Sequence, residues 1–533
     1  MFHGQLIIYK MKNTIINSKY IVVLSALIAF TSCNEIEDVS REETVEILPE
    51  LTSGSADFSN YVSLGASFTS GYTDGALFMA GQNNSFPNLL ANQFALAGGG
   101  NFTQPITNDN FGGLAAGGTR IAEPRLVFGG STPVPLETVV GPVTVSTDIV
   151  LNKPTGPFNN MGVPGAKSFH LLSTDYGNLA GLGSTANPYF IRMASSSNAS
   201  IIEDAMAQSP TFFTLSEMGG NDVLSFALSG GLGKDQKGNL DLTTYGSNDI
   251  TDPNIFASVF NGLLTTLTSG GAKGVVTNVP YITDLPHFTT VPHNPIPLDA
   301  DTAAYLNSAN VYGAYNAGIV QAFDYLVANT PFTQELADAE IAKRTITFTA
   351  GAGNAVVIMD EDLTDLTAIN SALVNIRQAT ADDLLVLSAS SFIGTEAIPG
   401  NPQTVNGVAR PLTDQWVLTP EEQLAIKDAT DAYNLTIKTI SNANDNVALV
   451  DLNAILNELA STGIMFDNYN LSASLVTGGA VSLDGIHLTA RGYALMANKF
   501  LEAIDAKFNS NFVASGNITK AGDYPTNYSP TLQ

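Results

Sequence analysis

Apolar residues along the chain fall into two recurring patterns. Short runs are apolar at almost every position and are bounded by Gly, Pro, Asn or Ser, which is typical of strands buried on both faces. Longer segments repeat apolar residues at intervals of three and four, which is the spacing of one helix face. These patterns predict strands at residues 61–64, 210–216, 274–280 and 447–451, and helices at residues 86–94, 201–208, 256–267, 420–442 and 490–508.

The two patterns alternate along the chain, and this order predicts an α/β fold. Alternating helices and strands are typical of a mostly parallel sheet with helices on both faces. A surface excursion rich in Gly, Pro, Asn and Thr at residues 98–160 and an insertion at residues 281–415 interrupt the rhythm. The insertion could act as a cap that shapes a substrate mouth. Within these interruptions we predict a strand at residues 138–145, a helix at residues 303–329, a hairpin at residues 345–359 and a further core strand at residues 384–387.

Composition and charge narrow the classes of function. The 533 residues include 49 acidic and 22 basic side chains, and the formal charge of -27 would repel a nucleic-acid backbone. Charged residues make up only 13% of the chain and apolar residues 44%, so the sequence can form a large core and is not an acidic disordered tail. We therefore expect no nucleic-acid partner, and a folded, exported protein is favoured.

The first residues have the features of an export signal. Lys12 and Lys19 precede an apolar run at residues 21–30 that is too short to span a bilayer, and small residues then lead to Cys33. This arrangement is typical of a bacterial lipoprotein signal peptide at residues 1–32, with Cys33 as the lipid-modified first residue of the mature chain. An ordinary secretory signal or a membrane anchor is the alternative.

The leader sets the predicted organisation of the rest of the chain. We expect an acidic tether at residues 33–57, a folded body at residues 58–511 and a C-terminal tail at residues 512–533. A lipid on Cys33 would hold the exported protein at a membrane of the cell envelope, with the outer membrane as the expected location. Cys33 is the only cysteine of the sequence, which excludes an intrachain disulfide and a thiolate metal cluster. The sequence predicts no particular oligomeric state.

One serine near the front of the folded body is a candidate nucleophile. Ser67 follows the first predicted strand at a turn of small residues. At such a turn a serine hydroxyl is exposed, and the start of the following helix offers backbone N–H groups. An ordinary turn serine is the alternative for this position considered alone.

A carboxylate and an imidazole near the other end of the chain could serve this serine. Asp484 and His487 are three residues apart, just before a predicted helix that Thr489 could cap. A carboxylate so placed can accept the imidazole Nδ1–H, fix the tautomer and leave Nε2 free to take a proton from a serine. An aspartate at a helix start and a structural histidine are the alternative. His170, His287 and His293 lack a carboxylate at this spacing and are weaker candidates for the base.

Two further segments could stabilise an oxyanion. Asn221 lies in Gly219-Gly220-Asn221-Asp222 after a predicted strand, and Gly165 lies in a tight turn at residues 163–166. An Asn amide and glycine N–H groups suit this purpose because no Cβ blocks the approach of a substrate. Plain turn chemistry is the alternative for both. The acidic run at residues 360–362 lacks the spacing of a calcium loop and is interpreted as a solvated turn.

Taken together and in this order, Ser67, Gly165, Asn221 and the Asp484/His487 pair resemble the SGNH, or GDSL-type, esterase and lipase family. The resemblance runs from about residue 58 to residue 508. It implies a three-layer α/β/α sandwich with long insertions, Ser67 as nucleophile, His487 as general base and acid, and Asp484 as its orienting partner. It also implies an oxyanion hole formed by the N–H of Ser67, the N–H of Gly165 and the side chain of Asn221. No metal or organic cofactor is expected.

The chain departs from the family pattern in two places. Gly65-Ala66-Ser67-Phe68 stands where the family has Gly-Asp-Ser-Leu, so the acidic neighbour of the nucleophile is missing. Leu488 follows the histidine where the family often has Pro. The expected function is a serine-dependent hydrolase of carboxylic esters, acting through an acyl-enzyme on a small-molecule, lipid or glycan ester. The alternative is a non-catalytic surface lipoprotein that binds glycan or lipid in the same cleft.

Overall fold

The computed structural model describes residues 48–532, and within them a five-stranded parallel sheet forms the centre of the fold. The sheet order is β5-β4-β3-β1-β2, and all four strand pairings are parallel. This confirms the predicted α/β class and parallel sheet. The strands are β1 (Tyr61–Gly65), β2 (Asn160–Gly162), β3 (Phe212–Leu215), β4 (Lys273–Thr277) and β5 (Val447–Val450).

The strand order creates a switch point beside β1. From β1 the chain passes to β2 on one side, and then to β3 on the other side. In open parallel sheets the loops at such a point diverge and leave a crevice at the carboxyl ends of the strands, where ligands bind. The segments that follow β1, β2 and β3 are therefore the ones expected to form a site.

Helices pack against both faces of this sheet. Along β1, Val62 and Leu64 belong to one apolar cluster and Tyr61 to a second, as the alternation of side chains in a strand requires. Helices α3, α5 and α8 contribute to the first cluster, and α2, α9 and α10 to the second. The principal helices are α1 (Ser67–Ser70), α2 (Phe86–Leu96), α3 (Ile201–Met206), α4 (Gly220–Leu228), α5 (Pro253–Thr268), α6 (Tyr312–Asn329), α7 (Gln334–Arg344), α8 (Pro420–Asn442), α9 (Leu452–Ser461) and α10 (Ala490–Phe508).

Local sequence signals explain where the main helices begin. Asp252 accepts the N–H groups of Asn254 and Ile255 at the start of α5. Thr419 and Glu422 form a reciprocal capping box at the start of α8. Thr489 accepts the N–H of Gly492 at 3.0 Å, so the predicted cap of α10 is confirmed. Helices α8 and α10 have the predicted bounds.

The predictions inside the excursion and the insertion are less accurate. The hairpin predicted at residues 345–359 is wrong, because Gly351–Asn354 pairs with Ile296–Leu298 and Val357–Met359 pairs with Ile376–Gln378. The strand predicted at residues 384–387 is only Leu384–Leu385, which pairs with Val417–Leu418 outside the main sheet. The helix predicted at residues 303–329 is two helices, Ala300–Leu306 and α6, and residues 138–145 overlap a short helix, Leu136–Val140. The remaining short helices are Met79–Asn83, Pro188–Met193 and Pro286–Thr289. Three further antiparallel pairs join Leu114–Ala116 to Thr119–Ala122, Leu126–Phe128 to Pro133–Pro135, and Ile464–Phe466 to Tyr469–Leu471.

The acidic run in the insertion differs from the expected solvated turn. The Asp360 side chain is fully buried and pairs with Arg377 at 2.5 Å and with Lys343 at 3.4 Å. Arg377 also binds the carboxylate of Asp383 through two guanidinium nitrogens, each at 2.7 Å. The prediction is therefore wrong for Asp360, since its charge is compensated by cations from other segments of the insertion.

The ends of the described chain pack against the body. Residues from Glu50 onward belong to one compact unit, and Leu51 packs on the second apolar cluster. In the predicted tail, Phe512 is buried and Tyr528 lies edge-on against Phe78 at 5.0 Å. The predicted signal peptide, Cys33 and the tether up to residue 47 lie outside the described residues. No helix in residues 48–532 is both long and apolar enough to cross a membrane.

Candidate active site

Ser67 lies at the switch point of the sheet. It is the first residue of α1, two positions after the end of β1, and its side chain lines a cavity while the residue is only 8% exposed. Its carbonyl oxygen accepts the N–H of Tyr72 at 3.0 Å and the hydroxyl of Ser70 at 2.8 Å. The serine is thus held in a short, internally bonded turn, at the strand-to-helix position that the sequence predicts.

Asp484 and His487 form a hydrogen-bonded pair. Nδ1 of His487 lies 2.8 Å from Oδ2 of Asp484, and the carboxylate also accepts the N–H groups of Ile486, His487 and Gly75. Burial alone would raise the pKa of Asp484, but His487 and these N–H groups outweigh it and hold the pKa well below its usual range. The carboxylate therefore stays ionised and favours the tautomer with hydrogen on Nδ1, which leaves Nε2 as an acceptor.

The imidazole lies beside the helix that carries Ser67. Its ring centroid is 5.7 Å from that of Phe68 and 4.6 Å from that of Tyr72. Among residues 48–532, no hydrogen bond connects the Ser67 hydroxyl with His487. Hydrogen bonds between a nucleophile and its base often tighten only in the complex with substrate.

Three candidate oxyanion donors follow three adjacent strands. Ser67 follows β1, Gly165 follows β2 and Asn221 follows β3. Within the described part of the chain, the N–H groups of Ser67 and Gly165 have no protein acceptor. Nδ2 of Asn221 donates to the carbonyl of Ala166 at 2.9 Å, which leaves its second hydrogen available and ties the side chain to the Gly165 turn. Gly165 has φ +79°, a conformation that favours glycine.

A second contact fixes the same two loops. The carboxylate of Asp222 accepts the N–H of Ser168 at 2.9 Å and its hydroxyl at 2.7 Å, and all these groups are buried. The loop after β2 is thereby bound to the first turn of α4. The Gly-Gly-Asn-Asp segment thus contributes one residue that faces the site and one that holds the neighbouring loop.

One buried carboxylate at the site has no role in the sequence-based prediction. Glu217, two residues after the end of β3, accepts the N–H groups of Ala66 at 2.6 Å, Phe68 at 2.9 Å and Thr69 at 3.0 Å. Burial raises the pKa of Glu217 to about 7, although these three N–H groups act in the opposite direction. The available sequence signal was an acidic residue two positions before the Gly-Gly-Asn-Asp block.

A deep apolar cavity opens at Ser67. Its volume is about 920 Å³ when the solvent-open space at its mouth is included. Ser67, Glu217 and Asn221 are the polar side chains among its lining residues. The apolar lining comes from α4, the segment after β4, α9, and α10 with the loop before it. It includes Leu224, Ile282, Leu285, Leu452, Ile455, Leu456, Leu459, Val481, Leu488, Leu495 and Met496.

The other histidines have different surroundings. Nδ1 of His287 lies 3.1 Å from the backbone carbonyl of Asp484, and burial lowers the pKa of His287. His170 accepts the N–H of Lys167, stacks on Tyr176 at 4.2 Å and has a pKa lowered by burial to about 3. His287 thus supports the loop of the Asp484–His487 pair, and neither ring receives a carboxylate as His487 does.

All the site residues predicted within the described chain lie at the carboxyl edge of the sheet or in the Asp484 loop packed beside it. Among residues 48–532, no group of three or more His, Cys, Asp or Glu side chains is arranged to hold a metal ion.

Comparison of the chain with protein-family models, curated proteins and solved structures found no match.

Proposed function

We propose that this protein is a serine-dependent hydrolase of carboxylic esters whose substrates carry an apolar acyl chain. The observation that carries the proposal is that Ser67 lines the apolar cavity while its neighbour Phe68 packs against the imidazole of the bonded Asp484–His487 pair. The strand order and the helices on both faces support an SGNH-like three-layer sandwich as the fold.

The proposed reaction proceeds through an acyl-enzyme. Oγ of Ser67 attacks the ester carbonyl carbon while Nε2 of His487 takes the hydroxyl proton. The carbonyl oxygen becomes an oxyanion that the N–H groups of Ser67 and Gly165 and the amide of Asn221 can stabilise. The C–O bond to the alcohol then breaks, and His487 gives its proton to the leaving oxygen. Water repeats the sequence on the acyl-enzyme and releases the carboxylic acid and Ser67.

The cavity lining favours a long acyl chain over an acetyl group. Burying one methylene is worth about 0.8 kcal/mol, or roughly a fourfold change in kcat/KM for each carbon that enters the cavity. An acetyl group would contact little of this apolar lining. A lipid-like ester is therefore a better substrate candidate than an acetylated glycan.

Covalent labelling tests the assignment of the nucleophile. We expect a fluorophosphonate probe to label the wild type, with labelling lost in Ser67→Ala and strongly reduced in His487→Ala. Ser59→Ala and His293→Ala, in exposed and half-buried positions away from the cavity lining, are matched controls that should label normally. Normal labelling of Ser67→Ala would contradict the assignment.

A p-nitrophenyl ester series tests the substrate class with a constant leaving group. We expect kcat/KM to rise from the acetyl ester through the octanoyl ester. A preference for acetyl would contradict the role proposed for the cavity. Absence of both labelling and hydrolysis for every ester would favour the non-catalytic lipoprotein that binds lipid in the same cleft.

The location in the cell envelope is proposed from the sequence alone. Cys33 and the apolar run before it support a lipid anchor. Cells grown with an alkyne fatty acid should incorporate it into the wild-type protein and not into Cys33→Ser. Equal incorporation into both would contradict the anchor.

A further inference from the structure

Glu217 binds the backbone on both sides of the proposed nucleophile. Its carboxylate accepts the N–H groups of Ala66, Phe68 and Thr69. The N–H of Ser67 has no protein acceptor in residues 48–532. We propose that Glu217 is the positioning residue of the nucleophile turn and supplies, from the neighbouring strand, the carboxylate that this chain lacks at Ala66. The proposal rests on the proposed function of Ser67.

The hydrogen-bond pattern around the turn supports this role. The first N–H groups of a helix have no partner within the helix. Glu217 accepts from the turn before and after Ser67, and it leaves the Ser67 N–H for the oxyanion. Without the carboxylate, three additional N–H donors at a mostly buried turn would lack partners, and the turn could relax toward other acceptors.

The strand register explains how an acid on another strand reaches this turn. Leu64 in β1 pairs with Leu215 in β3, so the same spacing continued by two residues places Ala66 opposite Glu217. The approach also needs glycine at position 65. A Cβ there would lie 2.1 Å from Oγ1 of Thr69 and 3.0 Å from Oε1 of Glu217. The acceptor therefore crosses from β3 to the nucleophile turn through a space that a side chain would fill.

The backbone of Glu217 is held in an unfavourable conformation. Its φ is +57°, which is uncommon for a residue other than glycine and is found mainly where surrounding contacts enforce it. Its N–H donates to Oγ1 of Thr277 at 2.8 Å, and its carbonyl accepts the N–H of Gly220 at 2.9 Å. These two hydrogen bonds hold the strained backbone of Glu217 so that its side chain points to the turn that carries Ser67.

The charge of Glu217 is not part of an ion pair. In the described part of the chain no Lys, Arg or His forms a salt bridge with this carboxylate, in contrast to the buried Asp360, which has Arg377 and Lys343. Its compensation comes from the backbone donors of the turn. A residue that served packing alone would be replaceable by a neutral side chain, whereas an acceptor for three N–H groups would not.

Steady-state kinetics on Glu217→Gln, Glu217→Asp and Glu422→Gln test the proposal. Glu422 is a matched control because it is a buried glutamate that accepts the N–H of Thr419 at 2.7 Å, in the capping box of α8. The amide of Gln has a single acceptor oxygen and cannot hold all three donors. We expect Glu217→Gln to lower kcat about tenfold or more on the best p-nitrophenyl ester, with KM within about threefold of the wild type.

The controls separate positioning from general destabilisation. Glu422→Gln should leave kcat within about twofold of the wild type. Glu217→Asp keeps the charge at shorter reach and should retain more of kcat than Glu217→Gln. If Glu217→Gln keeps the wild-type kcat, or if Glu217→Asp is no better than a folded Glu217→Gln, the proposal is overturned. A wild type that neither hydrolyses esters nor reacts with the probe would instead refute the proposed function.

Discussion

Replacing Glu217 with Gln should change how the free energy of unfolding depends on pH. The pKa of this buried carboxyl is raised from 4.5 to about 7 in the folded protein, so the fold favours the neutral form. Such a group contributes stability that is fully present below pH 4.5 and is lost as the pH rises through 7. At 1.36 kcal/mol for each pKa unit, the loss is about 3 kcal/mol. Glutamine does not titrate, so the variant should not show this loss.

Urea unfolding of both proteins between pH 4.5 and pH 8.5 measures this effect. The unfolding free energy of Glu217→Gln minus that of the wild type should increase by about 3 kcal/mol across this range. Other raised groups, including Asp74 with a pKa of about 7 and Glu422 with a pKa of about 8, titrate in both proteins and largely cancel. Tyr493 interacts with Glu217, but burial holds the pKa of Tyr493 well above its usual range, so it stays neutral.

The urea measurements decide whether ionisation of Glu217 lowers the free energy of unfolding. A difference that stays within about 1 kcal/mol over the whole range would refute the reasoning. The proposed positioning role predicts the opposite trend for activity, since ionised Glu217 accepts all three N–H groups. The free energy of unfolding should therefore fall with pH over the same interval in which ionised Glu217 would come to hold the turn in its proposed active geometry.

Three further substitutions have defined outcomes. Asp484→Asn should lower kcat by about 10³-fold or more because the imidazole would lose the partner that fixes its tautomer; a loss under tenfold would contradict this role. Leu456→Trp should fill the cavity and lower kcat/KM for a dodecanoyl ester about tenfold relative to the acetyl ester. Leu424→Trp, on the exposed face of α8, should leave this ratio of kcat/KM values unchanged. Equal dodecanoyl-to-acetyl ratios in the two variants would contradict the acyl site. Arg377→Met should lower the free energy of unfolding by about 3–5 kcal/mol because Asp383 would remain buried without a cation and Asp360 would keep only Lys343. A urea midpoint unchanged from that of the wild type would show that these pairs do not stabilise the insertion.

Sequence patterns predicted the parts of the fold that depend on local information. The bounds of α8 and α10 follow from a capping threonine and from apolar residues at helical spacing. Asp484 and His487 are close in sequence, so their spacing was enough to predict the hydrogen bond between them. The segments after β1, β2 and β3 come together because the strands are parallel and adjacent.

The missed features depend on contacts between distant segments. Glu217 reaches the turn that carries Ser67 only because β1 pairs with β3 in one particular register. The strand Gly351–Asn354 pairs with residues more than fifty positions earlier, so its glycines resemble a local hairpin tip. Asp360 is buried because Arg377 lies next to it, and the sequence pattern around residues 360–362 does not reveal that partner. Such pairings are set by the tertiary fold.

The apolar cavity has a consequence for turnover. Under the proposed function, its walls would contact the acyl chain in the same way before and after the ester bond breaks, so they would bind the released acid about as well as the substrate. The new carboxylate would also lie near the N–H groups of Ser67 and Gly165. Lengthening the chain should therefore raise kcat/KM while kcat levels off, because departure of the fatty acid becomes the slow step. An enzyme of this design would be inhibited by its own product, and acceptors that remove free fatty acid would increase its rate.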